Sequence, residues 1–278
     1  MLSDRSRKQL SRLVRKQAEA PGAPPRISPA DWTRPELEAD HRLEGAVARG
    51  DHGEYYLWEM GVADSYTDGT RLIDRYMALF RHAARRCQGD GAHPDLTALA
   101  DRNPGDLVFM DLETAGLHGR PVFLIGLMRY DGDDLVISQV FARDYAEEKA
   151  ILQAAAASVA EAGMLVTFNG KAFDVPFLRD RMVYHRLRPV EGGAHFDLLH
   201  HSRRRWRGRL PNCRLQTLEQ HLCRRLRMDD IPGSLIPQRY HDYVRSRDPR
   251  LVAPIFYHNR LDLISLAELL AAVVEPDE

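Results

Sequence analysis

One run constrains this chain more than any other. LVFMDLE, Leu107–Glu113, is apolar on both faces through Met110 and then carries two carboxylates two residues apart. A strand that is apolar on both faces belongs in the middle of a sheet covered on both sides. At strand period Asp111 and Glu113 leave from one face, while Val108, Met110 and Leu112 occupy the other. Paired carboxylates at the end of a buried strand repel each other and resist desolvation. Such a pair is relieved by a raised pKa or by a bound cation. Gly116, just beyond, suggests a tight turn that leaves room above them.

The surrounding pattern predicts an α/β fold. Pro121–Tyr130 and Leu135–Phe141 read as strands joined by a hairpin turn at Asp131-Gly132-Asp133-Asp134. Asp144 and Glu147 have the spacing of a capping box, opening a helix with Ile151, Ala154, Ala155 and Val159 as its apolar stripe. Met164–Phe168 is a further short strand, and the helix after it holds Pro176 in its first turn. A strand near Phe196–Leu199 and several helices follow, the last over Tyr257–Val274. The order β-β-β-α-β-α-β-α-α describes a mixed sheet flanked by helices, from residue 101 to 278. Residues 45–100, with a strand at Glu54–Trp58 and a helix over Thr70–Arg86, read as an extension packed on that domain. Residues 1–44 hold a basic segment (Arg5, Arg7, Lys8, Arg12, Arg15, Lys16) and a linker with five prolines, expected to be flexible.

Two further segments bring acids to the same edge of the expected sheet. Asp174 opens the helix after Met164–Phe168, anchored by Phe173, Phe177 and Leu178. His258 and Asp262 stand four apart on the last helix and share a face. Four carboxylates from one strand and two helices, with a histidine beside the last, meet the needs of phosphodiester hydrolysis by two metal ions. Hard divalent cations take oxygen ligands, and Mg²⁺ keeps waters for a substrate to displace. Two ions about 3.5–4 Å apart stabilise the attacking and leaving oxygens of an in-line displacement. The expected cofactor is two Mg²⁺ or Mn²⁺ ions, and the expected partner is nucleic acid, DNA or RNA.

Composition excludes several classes. With 39 basic and 40 acidic residues the net charge is −1, so any phosphate-binding surface must be local. Cys87, Cys213 and Cys223 are odd in number and unpatterned, which fits a reducing cytoplasm. His221 beside the last two does not restore zinc-site spacing. No apolar run approaches the ~18 residues of a membrane span.

Beyond this chemistry, MDLETAGL, TFNGKAFDVPFL and HNRLDLISL resemble, in order, the three exonuclease motifs of the DnaQ-like (DEDD) superfamily, which has a ribonuclease-H-like fold. LPNCRLQTLE (Leu210–Glu219) and DDIPGSLIPQRYHDYV (Asp229–Val244) resemble the YprB-like branch. The resemblance covers roughly Leu107–Leu270. It implies a 3′–5′ exonuclease in which Asp111, Glu113, Asp174 and Asp262 are the metal-binding acids. The third motif departs from the standard subtypes, because His258 stands at the spacing usual for a tyrosine and Tyr257 at that usual for a histidine. On a helix His258 is only ~40° from Asp262 and Tyr257 ~140° away. His258 is therefore the expected water-orienting base. Tyr257 would replace it if the helix began only after His258.

Arg203, Arg204, Arg205, Arg207 and Arg209 surround Trp206, a pattern that suits phosphate contact with a stacking ring. Arg204, Arg205 and Arg207, with Thr114, Asn169, Lys171 and Phe173 beside the acids, are the candidate nucleic-acid contacts. Asp197 reads as fold support rather than as a fifth metal ligand. Two other functions stay open: a nucleic-acid-binding module with little or no catalysis, and a structure-specific endonuclease.

Overall fold

The computed structural model describes residues 45–87, 93–117, 119–191, 193–227 and 230–275. The expected basic segment and linker over residues 1–44 lie outside them. The elements in chain order are β1 (Ala46–Gly50), β2 (Gly53–Gly61), α1 (Gly69–Arg86), α2 (Pro94–Ala100), β3 (Leu107–Thr114), β4 (Val122–Tyr130) and β5 (Leu135–Phe141). Then come α3 (Glu148–Ala160), β6 (Met164–Thr167), α4 (Asp174–Tyr184), β7 (Ala194–Asp197), α5 (Leu198–Trp206), α6 (Ile236–Ser246) and α7 (Ala253–Val274).

Among the described residues a seven-stranded mixed sheet has the order β1-β2-β5-β4-β3-β6-β7. The doubly apolar β3 and β4 lie at its centre, as their sequences require. β3 pairs antiparallel with β4 and parallel with β6, and β7 continues the parallel side. The hairpin β1–β2 prolongs the antiparallel side, because β2 pairs with β5 over Tyr56–Gly61. The extension thus supplies two strands where sequence patterning indicates one. It also supplies helix α2, which the pattern does not announce. Among the described residues no helix is long and apolar enough to cross a membrane.

The turns follow their chemistry. Asp131 Oδ1 accepts from the amides of Asp133 and Asp134, closing the β4–β5 hairpin. Asp144 accepts from Ala146 N as expected of a cap, but Glu147 turns to Arg143 instead of completing the box. Helix α7 is buried along most of its length against β3 and β4. On the other side, Glu148 at the start of α3 accepts from Arg181 of α4 at 2.7 Å and from Val122 N at 2.9 Å. This buried pair ties α4, and so Asp174, to the centre of the sheet.

Candidate active site

Two gaps in the central sheet create the site. The parallel ladder between β3 and β6 ends at Phe109–Val166, leaving the backbone of β3 unpaired on that side near its end. Asp174 at the start of α4 meets that edge, and its carboxylate accepts from the Leu112 amide. The second gap is Gly126, opposite Asp111 on β4. A Cβ there would lie 2.1 Å from Asn259 Oδ1, so only glycine admits the helix α7 side chain. Asn259 Nδ2 donates to Asp111 Oδ2 at 2.8 Å, and Gln139 Nε2 donates to Asn259 Oδ1 at 2.7 Å. Gln139 and Asn259 are fully buried, so this chain holds Asp111 in one orientation.

The four predicted acids share one electrostatic neighbourhood. Burial, then Asp262, Glu113 and Asp174, push the Asp111 carboxyl well above its ordinary range. Burial, with Asp262 and Asp174 and against His258, pushes Glu113 up to about 8. Burial raises Asp174 to about 7 despite two backbone donors, with Asp197 and Asp262 adding to it. Burial raises Asp262 even though Arg227 and His258 oppose it. Burial is the largest cause in each case and neighbouring carboxylates add to it; a set of hard oxygen donors like this suits Mg²⁺ or Mn²⁺. No three of these carboxylates bring their oxygens within 4.8 Å of one another. Among the described residues, the group that brings three donor atoms within 4.8 Å of one another is His93, Asp95 and His201.

Helix α7 begins at Ala253, so both His258 and Tyr257 are helical and the condition for Tyr257 to take over is not met. His258 Nε2 is 3.6 Å from Asp262 Oδ2, and its Nδ1 is held by Asp230 at 2.9 Å. The Tyr257 ring instead lies against the Arg260 guanidinium, 5.1 Å from its centroid. Burial alone would lower the His258 pKa. Asp230, Asp262 and Glu113 overcome it and push His258 up to about 9. Arg227 bonds to Asp262 and, at 3.0 Å, to Asp230. Asn259, Asp230, Gln139 and Arg227 are thus site residues that motif reading passes over. Asn259 carries a signal, since it stands three before Asp262 on the same helix face.

The predicted nucleic-acid contacts divide. Asn169, in a left-handed turn (φ 64°), and Lys171 present their amides to the buried Asp197, at 2.8 and 3.0 Å. Asp197 therefore shapes the loop before Asp174. Phe173 is exposed beside Asp174, and Thr114 Oγ1 donates to Gly116 O. Arg204 and Arg207 are exposed. Arg205 corrects the expectation: its Nη1 donates to the carbonyls of Ala272 and Val273, both at 2.7 Å, at the end of α7. Trp206 is only 9% exposed and belongs to the core, so it is no stacking platform. A helix C-terminus has carbonyls without partners, and a guanidinium satisfies them.

Residues 108–274 match the RNase H superfamily, more than half of the chain. Over 172 residues the chain is 34% identical to the "Uncharacterized protein YprB" of Bacillus subtilis (strain 168). That alignment covers 60% of this chain and 41% of the relative, under half of its length. A solved family B DNA polymerase from the hyperthermophilic archaeon Pyrobaculum calidifontis superposes with a TM-score of 0.48 at 17% identity, covering 59% of this chain and 24% of that one. The chain belongs to the RNase H superfamily and is a YprB-like member of it.

Proposed function

We propose that this RNase H superfamily member is a divalent-metal-dependent nuclease that hydrolyses phosphodiester bonds of nucleic acid as a 3′–5′ exonuclease. The observation that carries this reading is the placement of Asp111 and Glu113 on β3, Asp174 at the edge of that strand and Asp262 on α7, near enough to act on one another, with His258 Nε2 3.6 Å from Asp262 Oδ2. These four acids would hold two Mg²⁺ or Mn²⁺ ions, which supply stabilisation of the attacking and leaving oxygens.

The chain's own residues perform the rest. Gln139 and Asn259 fix the Asp111 carboxylate, and the Leu112 amide and the start of α4 fix that of Asp174. Asp230 occupies His258 Nδ1, which leaves Nε2 toward the acids as the nitrogen that takes a proton from attacking water. Were the charge of the acids compensated, the push of Asp262 and Glu113 on His258 would fall away and its pKa would drop, leaving the ring neutral and able to accept a proton. Arg204, Arg207 and Lys171 supply exposed positive charge for phosphates, while Phe173 offers a ring beside Asp174 for base stacking. Thr114 and Asn169 line the same edge.

A second reading is a nucleic-acid-binding module with little catalysis. It draws on Arg227, whose guanidinium already serves Asp262 where a metal would. End-labelled single- and double-stranded DNA and RNA, incubated with Mg²⁺, Mn²⁺ or chelator, separate the two. Stepwise metal-dependent shortening from the 3′ end, absent in Asp111→Asn, is expected. Binding without cleavage in either metal favours the module, and internal cuts favour an endonuclease.

A further inference from the structure

A second cluster of ligating side chains lies apart from the four acids. Asp95 Oδ2 is 3.0 Å from His201 Nε2 and 3.8 Å from His93 Nδ1. The two imidazole rings stand edge to face, centroids 4.8 Å apart at 80°. We propose that His93, Asp95 and His201 form a transition-metal site of the Zn²⁺ type, distinct from the acid cluster, that pins helix α2 to helix α5.

The donor set sets the class of metal. Two imidazoles and one carboxylate suit zinc, whereas Mg²⁺ and Ca²⁺ prefer all-oxygen shells. Ligand bonds of ~2.0–2.2 Å in a tetrahedron put donor atoms ~3.3–3.6 Å apart, so the Asp95–His201 pair at 3.0 Å would open slightly and the Asp95–His93 pair at 3.8 Å would close slightly. Three protein ligands leave a fourth position for water.

Each ligand is placed by the fold. His201 is 5% exposed, and its ring stacks on Phe196 of β7 with centroids 4.0 Å apart, which aims Nε2 at Asp95. His93 is the N-cap of α2, where Nδ1 accepts from the Asp95 amide at 3.1 Å. A metal at that nitrogen would replace the cap bond, which contributes modestly. Burial pushes His201 down to about 4, and burial with Arg204 holds His93 below its ordinary range. A metal here would displace the proton that His201 Nε2 shares with Asp95 and the amide bond accepted by His93 Nδ1.

The opposing charges are Lys171, whose Nζ is 3.5 Å from Asp95 Oδ2, and Arg204. Lys171 is exposed on a flexible stem and can withdraw into solvent. A dication would take over its role toward Asp95. The metal would also join two parts of the chain, since His93 and Asp95 precede residues 108–274 and His201 lies within them.

The test uses the full-length chain with the acid cluster disabled by Asp111→Asn and Asp174→Asn. Zn²⁺ is titrated in competition with a chromogenic chelator, and Co²⁺ is used to read tetrahedral coordination by its visible absorption. One equivalent of Zn²⁺ is expected, undisturbed by excess Mg²⁺. Adding His93→Gln or Asp95→Asn should weaken binding at least tenfold. Lys171→Ala, at an exposed site that does not threaten folding, should tighten it. Absence of stoichiometric Zn²⁺ binding, or an affinity that none of the three substitutions changes, would overturn the proposal.

Discussion

Asn259 Nδ2 reaches Asp111 Oδ2 across 2.8 Å, through space that exists only because residue 126 lacks a side chain. Gly126 faces Asp111 across the β3–β4 ladder, so the last helix approaches the strand of the first two acids at the point where they need orienting. Gly126→Ala should cost about 1–3 kcal/mol by overpacking and lower cleavage sharply. Asn259→Ala removes the colliding group, so the double variant should regain part of the stability but not the activity. Thermal unfolding and cleavage rates of the four proteins in this cycle check it.

The acid cluster makes a pH-dependent prediction. A carboxyl whose folded pKa is raised destabilises the fold at high pH, and the penalty disappears as pH falls through the folded value toward the ordinary one. Asp174, held at about 7, and Glu113, at about 8, are such groups. In chelator, Asp174→Asn should therefore be more stable than wild type at pH 8, by at least ~1 kcal/mol or roughly 2–4 °C. The difference should shrink toward pH 4. A gap that grows on acidification would contradict the assignment.

His258→Ala should lower kcat about 10²- to 10⁴-fold, the usual contribution of a positioned base. Tyr257→Phe should leave kcat near wild type, because that ring lies against Arg260 while His258 faces Asp262. Single-turnover rates at saturating metal distinguish the two.

Arg227 lies among Asp262, Asp230 and the buried Glu219. Arg227→Met leaves these charges uncompensated and should destabilise the metal-free chain by about 3–5 kcal/mol. Mn²⁺ should restore more stability to the variant than to wild type, since the cation replaces the lost charge at Asp262. Equal stabilisation of both proteins would show that the guanidinium and the metal do not share that carboxylate.

Arg204→Ala with Arg207→Ala should flatten the slope of log K against log salt by about 1.5, at ~0.7–0.9 per phosphate contact, equally for every sequence. Arg205→Ala should leave that slope unchanged and lower the melting temperature, because it strips donors from the carbonyls ending α7. Binding isotherms across a salt series check both.

Local chemistry written along the chain determined much of this protein. The doubly apolar run of β3 demanded a central strand, and the two-residue spacing of Asp111 and Glu113 put both on one face. The four-residue spacing of His258 and Asp262 did the same on a helix. These are properties of strand and helix periods, which hold wherever the element lies. Tertiary structure alone decided what each side chain meets. Asp230 could not be paired with His258 from spacing, since 28 residues of loop and helix separate them. Nor could Arg205 be told from Arg204, because adjacent positions on α5 point about 100° apart and only the docking of α7 turns one toward carbonyls and leaves the other in solvent. The same holds for His93, Asp95 and His201, gathered from two helices that only the packing around β7 brings together.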